Sequence, residues 1–187
     1  MHMKIVLAMT GATGAVYGIR LLDELKKHGV ETHLVLSDWA KETLAIETGE
    51  SAESLAAKSD FVYAFKDLAA AISSGSFRHD GMIVAPCSMK TLAAIAAGYD
   101  DNLITRAADV TLKERRKLIL LTRESPLTLI HLRNMTAVTE AGAIVVPPAP
   151  AFYSHPQTID DIVDQSVARV LDLLGISNDL GKRWPCE

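Results

Sequence analysis

The sequence predicts an α/β fold, a three-layer doubly wound parallel sheet in a single domain, on three observations. Short unbroken apolar runs, Leu118 to Leu121 the clearest, mark strands buried on both faces of a parallel sheet. Such runs alternate with segments of helical apolar periodicity along the chain. Glycine, serine and charged residues follow the strand ends, where open α/β sheets bind their ligands.

At 187 residues, 49% of them hydrophobic and 22% charged, the chain is long enough to bury one core. A formal charge of -4 with no long basic run argues against nucleic acid as a partner. The apolar stretches are too short to span a bilayer, and no charged leader precedes an apolar signal region. The expectation is a cytoplasmic protein with no membrane contact. Cys87 and Cys186 fit neither a disulfide framework nor a zinc spacing.

In order, Lys4 to Met9 is a strand, Thr10-Gly-Ala-Thr-Gly-Ala15 a glycine turn, and Val16 to Lys27 a helix with Ile19, Leu21, Leu22 and Leu25 on its apolar stripe. A strand, a glycine turn and a helix open a nucleotide-binding unit, because glycine admits a phosphate and the helix N-terminus offers it N–H groups. Gly11 and Gly14 give G-x-x-G rather than the dinucleotide pattern, and the second strand, Thr32 to Leu36, ends in Ser37 rather than an acid. Adjacent Asp38 keeps a dinucleotide open, but a mononucleotide such as FMN fits better.

Trp39 to Thr48 reads as a helix carrying Glu42 and Glu47, Ser51 to Ser59 as another, and Phe61 to Phe65 as a short strand. Ala69 to Phe77, small and polar, is either a linker or a close ligand wall. Met82 to Ala85 is a buried strand running into a turn, Pro86-Cys-Ser-Met-Lys-Thr91, and the helix Leu92 to Ala97. Ser88 and Thr91 cap that helix or present its N–H groups to an anion. Cys87, without a histidine base, reads as a small buried residue.

A helix follows on which Arg106 and Lys113, seven residues apart, share a face. From Arg106 to Arg123 six cations face two acids in an acidic chain, which suggests a small anionic ligand. Arg123 and Glu124 stand directly after the buried strand. Leu127 to Glu140 is expected to be helical, with an apolar face through Leu129, Leu132 and Met135 and a structural His131. Ala143 to Val146 is the last strand, Pro147 to Tyr153 a stiff segment that either places Tyr153 over a cavity or patches the core, and Thr158 to Leu174 the closing helix containing Arg169. Residues 175–187 form a tail with an isolated tryptophan in Lys182-Arg-Trp-Pro185, suited to docking on this or a neighbouring subunit.

The glycine loop, Ser37, the Ser88 turn, Arg123 with Glu124, and Tyr153 thus gather along one edge of the sheet. No paired His, Asp or Glu spacing indicates a metal, so Arg and Lys would neutralise a phosphate. Unaided, these residues point to an enzyme or binding protein for a phosphate ligand such as FMN.

Several motifs together resemble one family: Gly11-Ala-Thr-Gly14, Ser73-Ser-Gly-Ser-Phe77, Pro86-Cys-Ser88, Arg106-Ala-Ala-Asp109, Leu112-Lys-Glu-Arg-Arg116, Arg123-Glu124, His131-Leu132, Asn134-Met135 and Pro150-Ala-Phe-Tyr153. In that order, over nearly the whole chain, they resemble the UbiX/Pad family of flavin prenyltransferases. The resemblance implies a Rossmann-like, flavodoxin-like domain over residues 1–187. It implies a metal-independent transfer of a dimethylallyl group from dimethylallyl monophosphate to N5 and C6 of reduced FMN. The product serves a UbiD-type decarboxylase, and the enzyme is a homo-oligomer, commonly a dodecamer.

Carried over by motif, FMN meets Gly11, Ala12, Thr13, Ser37, Ser88, Met89, Lys90, Thr91 and Arg123. The donor phosphate meets Lys113, Arg123, Tyr153 and Arg169, with Arg106 from an adjoining part of the oligomer. Thr13, Glu47, Lys113 and Glu124 are the catalytic set: Glu124 protonates the departing phosphate, with a pKa raised by burial, and Glu47 serves later proton steps. At Thr13 many members carry serine; threonine keeps the hydroxyl and adds a methyl. Two other readings are a non-catalytic FMN-delivery module and an FMN-dependent decarboxylase, the latter lacking a histidine near Thr10 to Val16.

Overall fold

A computed structural model describes residues 3–184. Six strands form one parallel sheet: β1 Lys4–Met9, β2 Glu31–Leu36, β3 Phe61–Tyr63, β4 Gly81–Cys87, β5 Lys117–Thr122 and β6 Ile144–Val145. Their order is β3-β2-β1-β4-β5-β6, so the chain reverses its direction of sheet growth between β1 and β4. That reversal is the switch point at which doubly wound sheets open a crevice at the strands' carboxyl ends. The expected Rossmann-like, three-layer α/β class is the one observed.

Seven helices cover the sheet: α1 Ala15–Lys27, α2 Asp38–Thr48, α3 Ala52–Lys58, α4 Met89–Ala97, α5 Leu103–Lys113, α6 Leu129–Glu140 and α7 Ile159–Leu174. The period-two alternation of β1 shows why a helical layer is needed on each face. Ile5, Leu7 and Met9 enter one core with Leu21, Leu25 and Val167 of α1 and α7. Val6 and Ala8 enter the other with Leu92, Ile104 and Ala108 of α4 and α5. None of the described helices is long and apolar enough to cross a membrane.

Two expectations are corrected. Strand β4 continues through Pro86 and Cys87, which were expected in a turn. Pro86 has no N–H for the ladder, so the register with β5 slips between Val84 and Cys87 and is recovered at Cys87 and Thr122. The second concerns α6, which begins at Leu129 behind the capping residue Thr128. Leu129, Ile130 and Leu132 are 60, 67 and 46% exposed, and only Val138 of this helix is buried. The stripe turned inward is His131, Met135 and Val138, at spacings of four and three, so Leu129 and Leu132 lie off it.

Candidate functional site

The carboxyl ends of β1 and β4 are tied together first. The Thr10 hydroxyl donates to the Pro86 carbonyl at 2.8 Å and accepts from the Ser88 N–H at 2.8 Å. The loop Gly11 to Gly14 then turns into α1. Gly14 has φ 107°, a left-handed conformation that disfavours other residues. A Cβ on Gly11 would lie 2.3 Å from Trp39 Cβ, so glycine there lets the start of α2 close against the loop.

Glu47, on the last turn of α2, reaches across to this loop. Its Oε2 accepts from the N–H groups of Gly14 and Ala15, both at 2.9 Å, beside the Thr13 hydroxyl. Burial acts to raise the Glu47 pKa, but the Thr13 hydroxyl, the two N–H groups and the Arg123 charge outweigh it and hold it below the ordinary value. The sequence had offered those N–H groups to a phosphate. The carboxylate already occupies them.

Ser37 and Ser88 cap α2 and α4 by accepting from Ala40 N–H at 3.1 Å and Thr91 N–H at 3.3 Å. Met89, Lys90 and Thr91 form the first turn of α4, with Lys90 exposed, and Asp38 is the exposed first residue of α2. Arg123 follows β5, its N–H donating to the Cys87 carbonyl at 3.2 Å, and pairs with no acid among the described residues. Glu124 accepts from the Ser125 N–H at 3.0 Å and is exposed. The burial expected of it is therefore not supplied by the single chain.

These strand ends enclose a cavity of ≈ 640 Å³. Thr13, Glu47, Arg123 and Glu124 supply its polar side. Val16, Tyr17, Pro147, Pro148 and Ile162 supply its apolar side. A smaller cavity of ≈ 200 Å³ shares Pro147 and Pro148 with it and holds Tyr153, Ser166 and Arg169. Tyr153 also stacks edge-on against Trp184 with ring centroids 5.1 Å apart, so the tail docks on its own chain. Arg183 anchors that tail through both oxygens of Asp172, at 2.8 and 2.9 Å, while Cys186 lies outside the described residues.

Arg106 and Lys113 are not brought to this cavity within one chain. The Arg106 guanidinium donates to the Ser73 carbonyl at 3.1 Å and pairs with Asp109 at 2.9 Å. Lys113 pairs with Glu114 at 2.5 Å beside Gly75, four residues before β5 begins and so toward the amino-terminal edge of the sheet. The segment Ser73 to Phe77 belongs to that edge too: Arg116 donates to the carbonyls of Gly75 at 3.0 Å and Phe77 at 2.8 Å.

Cys87 is fully buried, which pushes its thiol up to about 12 and leaves it inert. His131 closes a capping box, its Nδ1 accepting from the Thr128 N–H at 3.2 Å, as its structural reading required. Two lining residues escaped the sequence reading. Tyr17 looks in sequence like one more core residue of α1, yet its ring packs on Gly14 and lines the cavity. Thr122 ends β5 with a buried hydroxyl that has no partner among the described residues. An orphaned hydroxyl, an unpaired guanidinium and an apolar wall in one cavity fit a ligand that is part anion and part flat ring, as FMN is.

Comparison with known proteins converges on the same chemistry. The flavoprotein family model matches residues 1–171. A probable UbiX-like flavin prenyltransferase of Bacillus subtilis is 58% identical over 181 residues, covering 97% of this chain and 89% of its own. A UbiX crystal structure in complex with FMN and dimethylallyl pyrophosphate superposes with a TM-score of 0.98 at 54% identity, over 100% of both chains. A dodecameric FMN-dependent UbiX-like decarboxylase from Escherichia coli gives 0.96 at 58% identity, over 98% of this chain and 100% of its own. The chain belongs to the flavoprotein family and, within it, to the UbiX-like flavin prenyltransferases.

Proposed function

We propose that this chain joins the dimethylallyl group of dimethylallyl monophosphate to N5 and C6 of reduced FMN, supplying prenylated FMN to a UbiD-type decarboxylase. The observation that carries the reading is the unpaired Arg123, beside Glu124, facing the Glu47-held Thr13 turn across one cavity. FMN is the acceptor, held by Gly11, Ala12, Thr13, Ser37, the first turn of α4 from Ser88 to Thr91, and Arg123.

The donor's allylic C–O bond breaks with its electron pair leaving on phosphate, and that carbon bonds to flavin N5 as the N5 proton leaves. A proton then adds to the remaining double bond, and the tertiary carbon so formed bonds to C6 as the C6 proton leaves. Arg123, with Tyr153 and Arg169 in the adjoining cavity, takes the charge that grows on the phosphate. Glu124 stands beside Arg123 to hand that phosphate a proton. Glu47, held below its ordinary pKa by the Thr13 hydroxyl and the two N–H groups, is placed to accept the proton lost from C6 rather than to donate one.

Arg106 and Lys113, remote from the cavity of their own chain, reach a donor site only from another subunit, which supports a homo-oligomer, a dodecamer by likeness to the Escherichia coli protein. Residues 1–187 act as one FMN-binding domain with 175–187 as its tail, in the cytoplasm, without nucleic acid, membrane or metal.

The test is anaerobic incubation with reduced FMN and dimethylallyl monophosphate, followed by mass spectrometry of the extracted flavin. The expected product is heavier by one five-carbon unit and absent without enzyme. Unmodified FMN from protein that binds both ligands makes the chain a delivery module instead.

A further inference from the structure

We propose that Arg116 is a positioning residue of the transferase: it folds the Ser73–Phe77 segment into a seat at Gly75, on which the Lys113 ammonium is held for the donor phosphate of another subunit. The inference rests on the function proposed above and on the place it gives Lys113.

The end of α5 aims Arg116. Glu114 caps the helix, and Arg115 follows with φ 57°, a left-handed conformation that glycine ordinarily fills. The Arg115 N–H donates to the Leu112 carbonyl and the Arg116 N–H to the Thr111 carbonyl, both at 2.9 Å. This paired closure turns the chain back ahead of β5 and lays Arg116 against the Ser73–Phe77 segment. The two prongs of its guanidinium each take one carbonyl, Phe77 at 2.8 Å and Gly75 at 3.0 Å. Arg106, near the other end of α5, donates to the Ser73 carbonyl at 3.1 Å, and the Ser74 and Ser76 hydroxyls bond to each other at 2.9 Å. From Ser73 to Ser76 no apolar side chain anchors the backbone, so the segment takes its shape from these bonds.

That shape matters at Gly75. A Cβ there would lie 2.6 Å from Lys113 Nζ and would also clash with the Glu114 carboxylate. Lys113 bonds one oxygen of that carboxylate at 2.5 Å, and the other oxygen is 3.9 Å from the Arg116 guanidinium. Lys113, Glu114, Arg116 and Gly75 thus form one linked group, in which the two cations differ. The Arg116 side chain is 15% exposed and its prongs are committed to the segment's carbonyls. The Lys113 side chain is 46% exposed, and its ammonium keeps two N–H groups after Glu114 has taken one. Lys113 is the cation with donors to offer a phosphate, and Arg116 decides where it stands.

The experiment measures kcat/KM for dimethylallyl monophosphate at saturating reduced FMN in the wild-type protein, Arg116→Lys, Gly75→Ala, Lys113→Ala and the two double variants that add Lys113→Ala. FMN affinity from flavin fluorescence quenching and assembly from light scattering serve as references. Lysine at 116 keeps the charge and loses the fork, while alanine at 75 displaces the ammonium by its methyl alone. The expected result is a loss of about tenfold in each single variant, with FMN affinity and assembly unchanged. Added to Lys113→Ala, neither change costs anything further, because the group it positions is already gone. A loss that multiplies on top of Lys113→Ala, or that follows FMN release or disassembly, makes Arg116 a structural clamp and overturns the proposal, as does full activity in both single variants. The two variants approach the group from opposite sides, so failure of one to fold leaves the other decisive. Full activity in Lys113→Ala overturns the reading of Lys113 as a donor contact, and this inference with it.

Discussion

Glu47 and Gly14 lie 33 residues apart, yet the carboxylate of one accepts the N–H of the other at 2.9 Å and closes α2 over the first turn of α1. This contact makes Glu47 at once a helix cap and a member of the cavity wall.

Glu47→Gln keeps an acceptor oxygen and loses the charge. Because the folded pKa is depressed, the carboxylate's contribution is full above its ordinary value of 4.5 and is lost as pH falls through the folded value. The exposed position limits the loss to about 0.5–1 kcal/mol near neutral pH. Urea melts across the acid range should show the variant losing less stability on acidification than wild type. Turnover should fall while FMN stays bound.

Gly11→Ala forces a methyl to within 2.3 Å of Trp39 Cβ, so the start of α2 must move away from the loop. The expected cost is about 1–3 kcal/mol, with weaker FMN binding. Thermal denaturation with and without FMN checks both; an unchanged melting temperature would show that the loop yields instead.

Lys113→Ala and Arg123→Ala should each lower turnover by roughly 100-fold or more. If each site draws Lys113 from one subunit and Arg123 from another, co-expressing the two variants at equal levels returns about a quarter of the sites to the intact pair. No recovery in mixed assemblies would mean that Lys113 never meets the donor.

His79 is 5% exposed, its Nδ1 at 3.2 Å from the Gly81 carbonyl and its Nε2 without a partner among the described residues. Burial, helped by the Arg116 charge, lowers its pKa from 6.5 to about 4. The folded state therefore prefers the neutral ring, and stability is full above about 6.5 and falls as pH drops toward about 4. His79→Phe should remove on the order of 2 kcal/mol of that loss at about pH 5. Identical acid limbs in the two proteins would show that the ring titrates normally.

The strands, the glycine turn and the caps Ser37, Ser88 and Thr158 were legible because each is a local pattern: an apolar run, a small residue at a turn, a hydroxyl before a helix. Arg123 and Glu124 were legible from their place after a buried strand. Contacts made across the chain were not. Nothing near Glu47 in sequence announces that it caps α1, nor that Tyr17 lines the cavity. For α6 the apolar stripe misled, because periodicity cannot say which side a neighbour will cover. The helix face shared by Arg106 and Lys113 was read well, but which edge of the sheet it serves depends on how the chain folds back between β4 and β5.

The carboxylate seated on the first turn of α1 also decides which way round an amphiphilic anion can lie. Many nucleotide folds leave that turn vacant as a receptor for phosphate, but here a phosphate would meet a like charge at short range. The favourable pole is Arg123, whose guanidinium has no acid of its own among the described residues. The crevice is thus electrically keyed: Glu47 disfavours a negative group at the Thr13 end, and Arg123 favours one at the other.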